Sequence, residues 1–208
     1  MINGDLFPVS PPGLCVLPGF ALAEEEALVE AALAIASRAP FRRMKTPGGR
    51  EMRAAMTNCG AAGWVSDARG YRYAREDPQT GEPWPELPDL FRRLATRAAR
   101  AAGFTGFMPD MALINRYEPG AGMALHQDLD ERDFSAPIVS VSLGLPAVFL
   151  WGGPNRADRP ARLALRSGDV AVWGGAARKF FHGVAPLKPG AHPRTGAARL
   201  NLTFRRAL

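Results

Sequence analysis

Arg199-Leu200-Asn201-Leu202-Thr203-Phe204-Arg205 alternates without a break. Successive side chains of an extended chain point to opposite sides, so Arg199, Asn201, Thr203 and Arg205 share one face and Leu200, Leu202 and Phe204 the other. Alone, such a stretch reads as an amphipathic strand with one face in solvent. Moving back along the chain, period-two segments recur at Ala112–Tyr117, Met123–Asp128, Ile138–Gly144, Ala147–Trp151, Arg162–Leu165, Val170–Trp173 and Phe180–Val184. Turns with Gly or Pro separate most of them. Strands this short and this numerous predict a barrel or a two-sheet jelly roll.

The chain ahead of them reads differently. Ala21 to Ala39 predicts a helix, with Glu24, Glu25 and Glu26 in its first turns, an apolar stripe of Leu28, Val29, Ala32, Leu33 and Ile35, and Pro40 after its end. Asp89 to Ala102 predicts a second, with Leu90, Leu94 and Ala98 inward and Gly103 as its stop. Residues 1–20 are rich in Pro and Gly and read as an extended N-terminal segment. Residues 41–73 read as short strands and turns, and residues 77–88, with four prolines, as a loop. The fold class expected is α+β: a jelly-roll core over 110–208 braced by two helices, within a single domain over 21–208.

Composition narrows the function classes. With 47% apolar residues, a sizeable core can form, which argues against a disordered chain. Cys15 and Cys59 make neither a CxxC pair nor a zinc spacing, which leaves two reduced thiols in a cytoplasmic protein as the expectation. Residues 1–10 lack the pattern of a signal peptide, and no apolar run is long enough to span a bilayer. The net charge of +6 suits a polyanionic partner, although a solubility charge alone would read the same way. A monomer is the default expectation.

Chemistry concentrates in the strand-rich half. In His126-Gln127-Asp128, read as extended chain, the imidazole and the carboxylate fall on one side and Gln127 on the other. His182 lies on a later strand. Two histidines and one carboxylate form the facial triad of non-haem iron oxygenases, which leaves positions for a bidentate co-substrate and O₂. A lone HxD is a weak motif, but two of the chain's three histidines fall into this pattern. His192 reads as a bystander. Arg199 with Asn201 strengthens the case, because a guanidinium beside neutral donors grips a carboxylate in a bidentate way. Thr203 shares that face. Asn115 and Tyr117, with Arg116 between them, precede His126 and are further candidates for the co-substrate pocket. Upstream, Phe41, Arg42, Arg43, Lys45, Arg53, Trp64, Arg69, Tyr71, Arg72 and Tyr73 interleave aromatic and basic residues, a mixture that suits bases and phosphates but also an ordinary core edge.

Seven segments in this order resemble the AlkB family: Met56–Gly60, Asp77–Thr80, Leu113–Tyr117, Leu125–Asp128, Ile138–Gly144, Gly168–Val170 and Arg199–Arg205. The resemblance runs from about Ala21 to Arg205. It implies a double-stranded β-helix with a nucleotide-recognition lid over 41–87. It implies Fe(II) held by His126, Asp128 and His182, and 2-oxoglutarate paired with Arg199 in a pocket lined by Asn115, Tyr117, Asn201 and Arg205. It implies Trp64 stacking on a base, Tyr71 and Tyr73 near the nucleotide backbone, with Arg72 beside them, Asp130 reading the base edge and Arg156 at the substrate rim. The activity implied is an Fe(II)-, 2-oxoglutarate- and O₂-dependent oxidative demethylation of bases such as 1-methyladenine and 3-methylcytosine in alkylated DNA, or RNA. Two rival readings keep part of the pattern: an oxygenase acting on a protein or small metabolite, and a metal-free nucleic-acid-binding jelly roll.

Overall fold

The computed structural model describes residues 11–208. In chain order its elements are β1 (Leu14–Leu17), α1 (Glu25–Arg38), β2 (Ala55–Gly60), β3 (Gly63–Asp67), β4 (Gly70–Ala74), α2 (Asp89–Ala101), β5 (Met111–Tyr117), β6 (Met123–His126), β7 (Ile138–Gly144), β8 (Ala147–Trp151), β9 (Ala161–Leu165), β10 (Val170–Trp173), β11 (His182–Val184) and β12 (Arg199–Arg205). Six strands form a major sheet in the order β1-β10-β7-β12-β5-β2, and four form a minor sheet in the order β6-β11-β8-β9. Strands β3 and β4 pair only with each other, as a hairpin. Two antiparallel sheets whose neighbours are mostly not consecutive in sequence are the expected jelly roll.

Strand β12 lies inside the major sheet, between β5 and β7, and all seven of its residues are buried. The solvent-facing reading of this strand is therefore replaced by burial on both sides. Its even-numbered face, Leu200, Leu202 and Phe204, joins Ala112, Ile114, Val139, Val141, Val170 and Val172 in a cluster completed by both helices. Helix α1 contributes Leu28, Val29, Ala32 and Ile35, and α2 contributes Phe91, Leu94, Ala95, Ala98 and Ala99. Leu33, placed in the stripe by sequence, is instead 51% exposed, because at 100° per residue it falls off the arc of the other four. The odd-numbered face of β12 points between the two sheets. Its cross-strand partners are Tyr117, Asn115, Leu113 and Met111 on β5, and Gly144, Ser142 and Ser140 on β7.

Several boundaries differ from the sequence expectation. Residues 1–10 lie outside the described residues, and the rest of the expected extended N-terminal segment contains β1, which closes the edge of the major sheet against β10. Strand β6 stops at His126, so Asp128 belongs to the irregular segment that follows. Strand β2 pairs with β5 in the major sheet, so the part of 41–87 that stands apart as its own sheet is the β3–β4 hairpin. Gly103 ends α2 as expected, at φ +89°, a left-handed conformation that other residues rarely adopt. No helix among the described residues is long and apolar enough to cross a membrane.

Phe204 is fully buried and meets Phe91 edge-on, with ring centroids 5.7 Å apart. Phe204→Ala should lower the unfolding free energy by about 3–5 kcal/mol in urea titration. A loss below ~1 kcal/mol would mean that the helix layer does not depend on this contact.

Candidate active site

Strands β6 and β11 pair so that His126 and His182 stand directly opposite each other. Their rings lie 4.4 Å apart between centroids. Gly183 permits the approach: a Cβ on it would lie 2.7 Å from the Met123 carbonyl oxygen on β6. The Nδ1 of His126 bonds the Ala124 carbonyl at 2.9 Å, and that of His182 bonds the Phe180 carbonyl at 3.0 Å. A carbonyl can only accept, so each Nδ1 carries the proton and each Nε2 is left as a lone-pair donor. Asp128 completes the group, with Oδ1 3.8 Å from Nε2 of His126 and Oδ2 3.6 Å from Nε2 of His182. One ligating atom from each of the three lies within 4.8 Å of the others. Gln127 faces away, as expected, and its amide donates to the Lys179 carbonyl at 2.6 Å.

The electrostatics suit a cation at this point. Burial works against ionised Asp128, but Arg205, His182 and His126 outweigh it and hold the carboxyl well below its usual range. Burial, with His182 alongside, pushes His126 down to about 4. A neutral imidazole and an ionised carboxylate are the forms in which these groups ligate a metal. The rings of Phe149, Trp151 and Trp173 surround His182, the nearest being Trp173 at 4.9 Å between centroids. The donor set, two orientated imidazoles and a carboxylate, fits Fe(II).

On the odd-numbered face of β12, Arg199 is 1% exposed. Its Nη2 donates to the Ser142 hydroxyl at 3.0 Å and its guanidinium lies over the Tyr117 ring at 5.2 Å. Its Nε and Nη1 have no hydrogen-bond partner, and no carboxylate among the described residues pairs with it. Burial pushes its pKa down, while Tyr117 acts against that shift. A buried cation with two unused donors calls for an anion. Asn115, with an unpartnered Oδ1, lies on the same face of the neighbouring strand. Asn201 and Thr203 are already engaged: Asn201 donates to Ser140 and to the Val141 carbonyl, and Thr203 donates to Asn201. Arg116 is not brought to this face. Strand alternation turns it outward, where it is exposed and pairs with Glu118 at 3.6 Å.

The hairpin carries the other predicted residues. Trp64 stacks on Tyr71 at 5.6 Å and 13° between planes, and its Nε1 donates to Asp130 at 2.7 Å. Tyr73 donates through its hydroxyl to Glu131 at 2.8 Å. The guanidinium of Arg72 is held in a bidentate pair with Asp67 at 2.8 and 2.9 Å. Arg156 lies over the Phe181 ring at 5.8 Å. His192 contacts Glu25 of α1 at 3.4 Å and not the triad. Sequence reading missed Glu131 and Arg178, which are buried and ion-paired at 3.1 Å beside Asp128. The available signal for Glu131 was its place in a run of four acids, Asp128, Asp130, Glu131 and Asp133.

A profile described as the 2OG-Fe(II) oxygenase superfamily matches residues 13–205. The chain is 55% identical to the alpha-ketoglutarate-dependent dioxygenase AlkB of Salmonella typhimurium (strain LT2) over 196 residues, covering 94% of this chain and 91% of that one. It is 53% identical to the protein of the same name from Escherichia coli (strain K12), over 98% of this chain and 97% of that one. The solved structure of OsALKBH1 superposes with a TM-score of 0.84 at 28% identity, covering 96% of this chain and 99% of that one.

The unpaired charge of Arg199 yields a two-sided expectation. Arg199→Met should raise the unfolding free energy of the protein without added ligand by about 1–3 kcal/mol, because an uncompensated buried charge is removed. It should also abolish thermal stabilisation by a dicarboxylate. Destabilisation together with a retained dicarboxylate shift would show that Arg199 is not the anion site.

Proposed function

The chain belongs to the 2OG-Fe(II) oxygenase superfamily, as an AlkB-type Fe(II)- and alpha-ketoglutarate-dependent dioxygenase, and from that membership we propose that it repairs alkylated DNA by oxidative demethylation of bases such as 1-methyladenine and 3-methylcytosine. In this reading His126, Asp128 and His182 hold the iron, and Arg199, with Asn115 and Tyr117 beside it, holds 2-oxoglutarate. With O₂, the bound iron and 2-oxoglutarate supply the oxidation that turns a base N-methyl into a hydroxymethyl group, which leaves as formaldehyde while the co-substrate becomes succinate and CO₂.

One observation carries the choice of a cationic base as substrate. Four acids follow one another over residues 128–133, and arginines compensate three of them. Arg205 pairs with Asp128, Arg178 and Arg205 with Glu131, and Arg206 with Asp133. Asp130 is bonded instead to the neutral indole of Trp64. Its charge is therefore left over, beside an aromatic surface. 1-Methyladenine and 3-methylcytosine carry a positive charge that the unmethylated bases lack, so Asp130 favours the damaged form while Trp64 offers its face. A methylated base pairs badly and leaves the helix at lower cost, which adds to the selection. The net charge of +6 holds phosphates in a salt-dependent way. Two free cysteines, with Cys59 buried and its thiol pushed up to about 12 by burial, suit the reducing cytoplasm in which we place the reaction.

The deciding experiment is incubation with Fe(II), ascorbate, 2-oxoglutarate and an oligonucleotide carrying one 3-methylcytosine, in DNA and in RNA form, followed by mass spectrometry. Co-substrate-dependent loss of one methyl group from the DNA is expected. Succinate formation without methyl loss from either polymer would discard the substrate and keep the oxygenase. Trp64→Ala should weaken binding of the methylated oligonucleotide about 5- to 150-fold, the equivalent of ~1–3 kcal/mol per stacked base, and leave 2-oxoglutarate affinity unchanged. Equal losses in both would remove Trp64 from base recognition.

A further inference from the structure

Glu131 has 1% of its side chain exposed, and a carboxylate that far from water must be compensated by its neighbours. Three groups do so. Arg178 Nη2 lies 3.1 Å from Oε2, Arg205 Nε lies 3.2 Å from Oε1, and the Tyr73 hydroxyl donates to Oε1 at 2.8 Å. Arg205 turns its other edge toward Asp128, donating from Nη2 to Oδ2 at 2.8 Å. One guanidinium thus spans two carboxylates: it hydrogen-bonds Asp128, meets Glu131 through Nε as a charge contact without a hydrogen bond, and donates from Nη1 to the Tyr73 hydroxyl at 3.4 Å. Arg178 anchors the same segment by its backbone, donating to the Asp128 carbonyl and to the Ala136 carbonyl, each at 3.1 Å.

We propose that Glu131 is a positioning residue that couples the β3–β4 hairpin to the metal-facing carboxylate, through Tyr73 on one side and through Arg205 on the other. The chain of contacts is Tyr73–Glu131–Arg205–Asp128. Displacing the hairpin pulls Tyr73 from Glu131, loosens the Nε edge of Arg205 and lets Asp128 rotate. Placement of a substrate under the hairpin and the geometry of the metal carboxylate are therefore linked through Glu131 and, beside it, through the direct bond from Arg205 Nη1 to the Tyr73 hydroxyl. The proposal rests on the reading of Asp128 as a metal ligand.

The test uses Mn(II) as the probe, titrated calorimetrically into the metal-stripped full-length protein, with hydrogen exchange of the β3 and β4 amides as the second readout. Glu131→Gln keeps an acceptor for Tyr73 but removes the charge that orients Arg205. It should lower Mn(II) affinity about 10- to 100-fold, the usual scale for losing a partner of a metal ligand. Tyr73→Phe should lower it less, by a few-fold, and speed exchange in the hairpin. The two substitutions together should cost less than the sum of their separate effects, because Tyr73, Glu131 and Arg205 belong to one network of contacts. Asp133→Asn loosens the same segment at its pair with Arg206, away from Asp128, and should leave Mn(II) affinity unchanged.

Unchanged affinity in folded Glu131→Gln, or equal losses in Asp133→Asn, would reduce Glu131 to a structural role and overturn the proposal. If Glu131→Gln does not fold, Tyr73→Phe decides: Mn(II) affinity unchanged while hairpin exchange quickens also overturns it. Wild-type protein that fails to bind Mn(II) would instead sink the triad reading on which the proposal rests.

Discussion

The structure depends on how much charge β12 can carry into a dry interior. Arg199, Asn201, Thr203 and Arg205 are all at most 6% exposed, on a strand whose other face is apolar and sealed by two helices. An isolated buried charge costs several kcal/mol, so such a strand survives only when each group is answered by a partner. Arg205 finds Asp128 and Glu131. Asn201 and Thr203 answer each other and Ser140. Among the described residues, Arg199 finds a hydroxyl and an aromatic face but no carboxylate. The shortfall at Arg199 sets the demand for an anionic co-substrate, and the surplus of acid near Arg205 is what faces the metal.

The apolar helix layer makes this arrangement affordable in packing terms and fixes it in space. Leu200, Leu202 and Phe204 lock the register of β12 against β5 and β7, and a one-residue slip would turn every charged side chain into the helix layer. With the register fixed, the minor sheet needs only to bring β6 and β11 together. The small residue at Gly183 and the aromatic wall of Phe149, Trp151 and Trp173 do that, while stripping water from His182. Fold and site are thus one problem solved on the two faces of the same strand.

Much of this was legible in the sequence because alternation is a local signal. Residues 199–205 alone separated the helix-facing from the site-facing side chains, and all eight strands expected after residue 110 lie within two residues of their observed bounds at each end, β6 and β11 included. What alternation could not supply was the path of chain that is not a strand. Asp128 converges with His126 from a loop, by the hold of Arg205 and Arg178 on that segment, and not by strand parity. Glu131 and Arg178 were missed for the same reason: they are 47 residues apart, and only the closing of the sheets makes them a pair. Arg116 departs from expectation the other way: alternation between Asn115 and Tyr117 puts it on the opposite face, away from the pocket.

The run of acids after β6 shows why proximity in sequence does not give equivalence in role. Glu131 and Asp133 have their charge met by arginines and serve orientation and folding, while Asp128, paired with Arg205, faces the metal. Among the described residues, Asp130 has only the Trp64 indole as a partner, a neutral donor. The same bond fixes the plane of that indole nearly parallel to Tyr71, within 13°. Under the proposed function, flatness and positive charge are then recognised by a single linked pair rather than by two independent residues. A neutral planar base meets the stacking surface but leaves the carboxylate uncompensated, and a non-planar cation meets the carboxylate but forfeits the stack. Selectivity for a methylated, cationic base follows from requiring both at once.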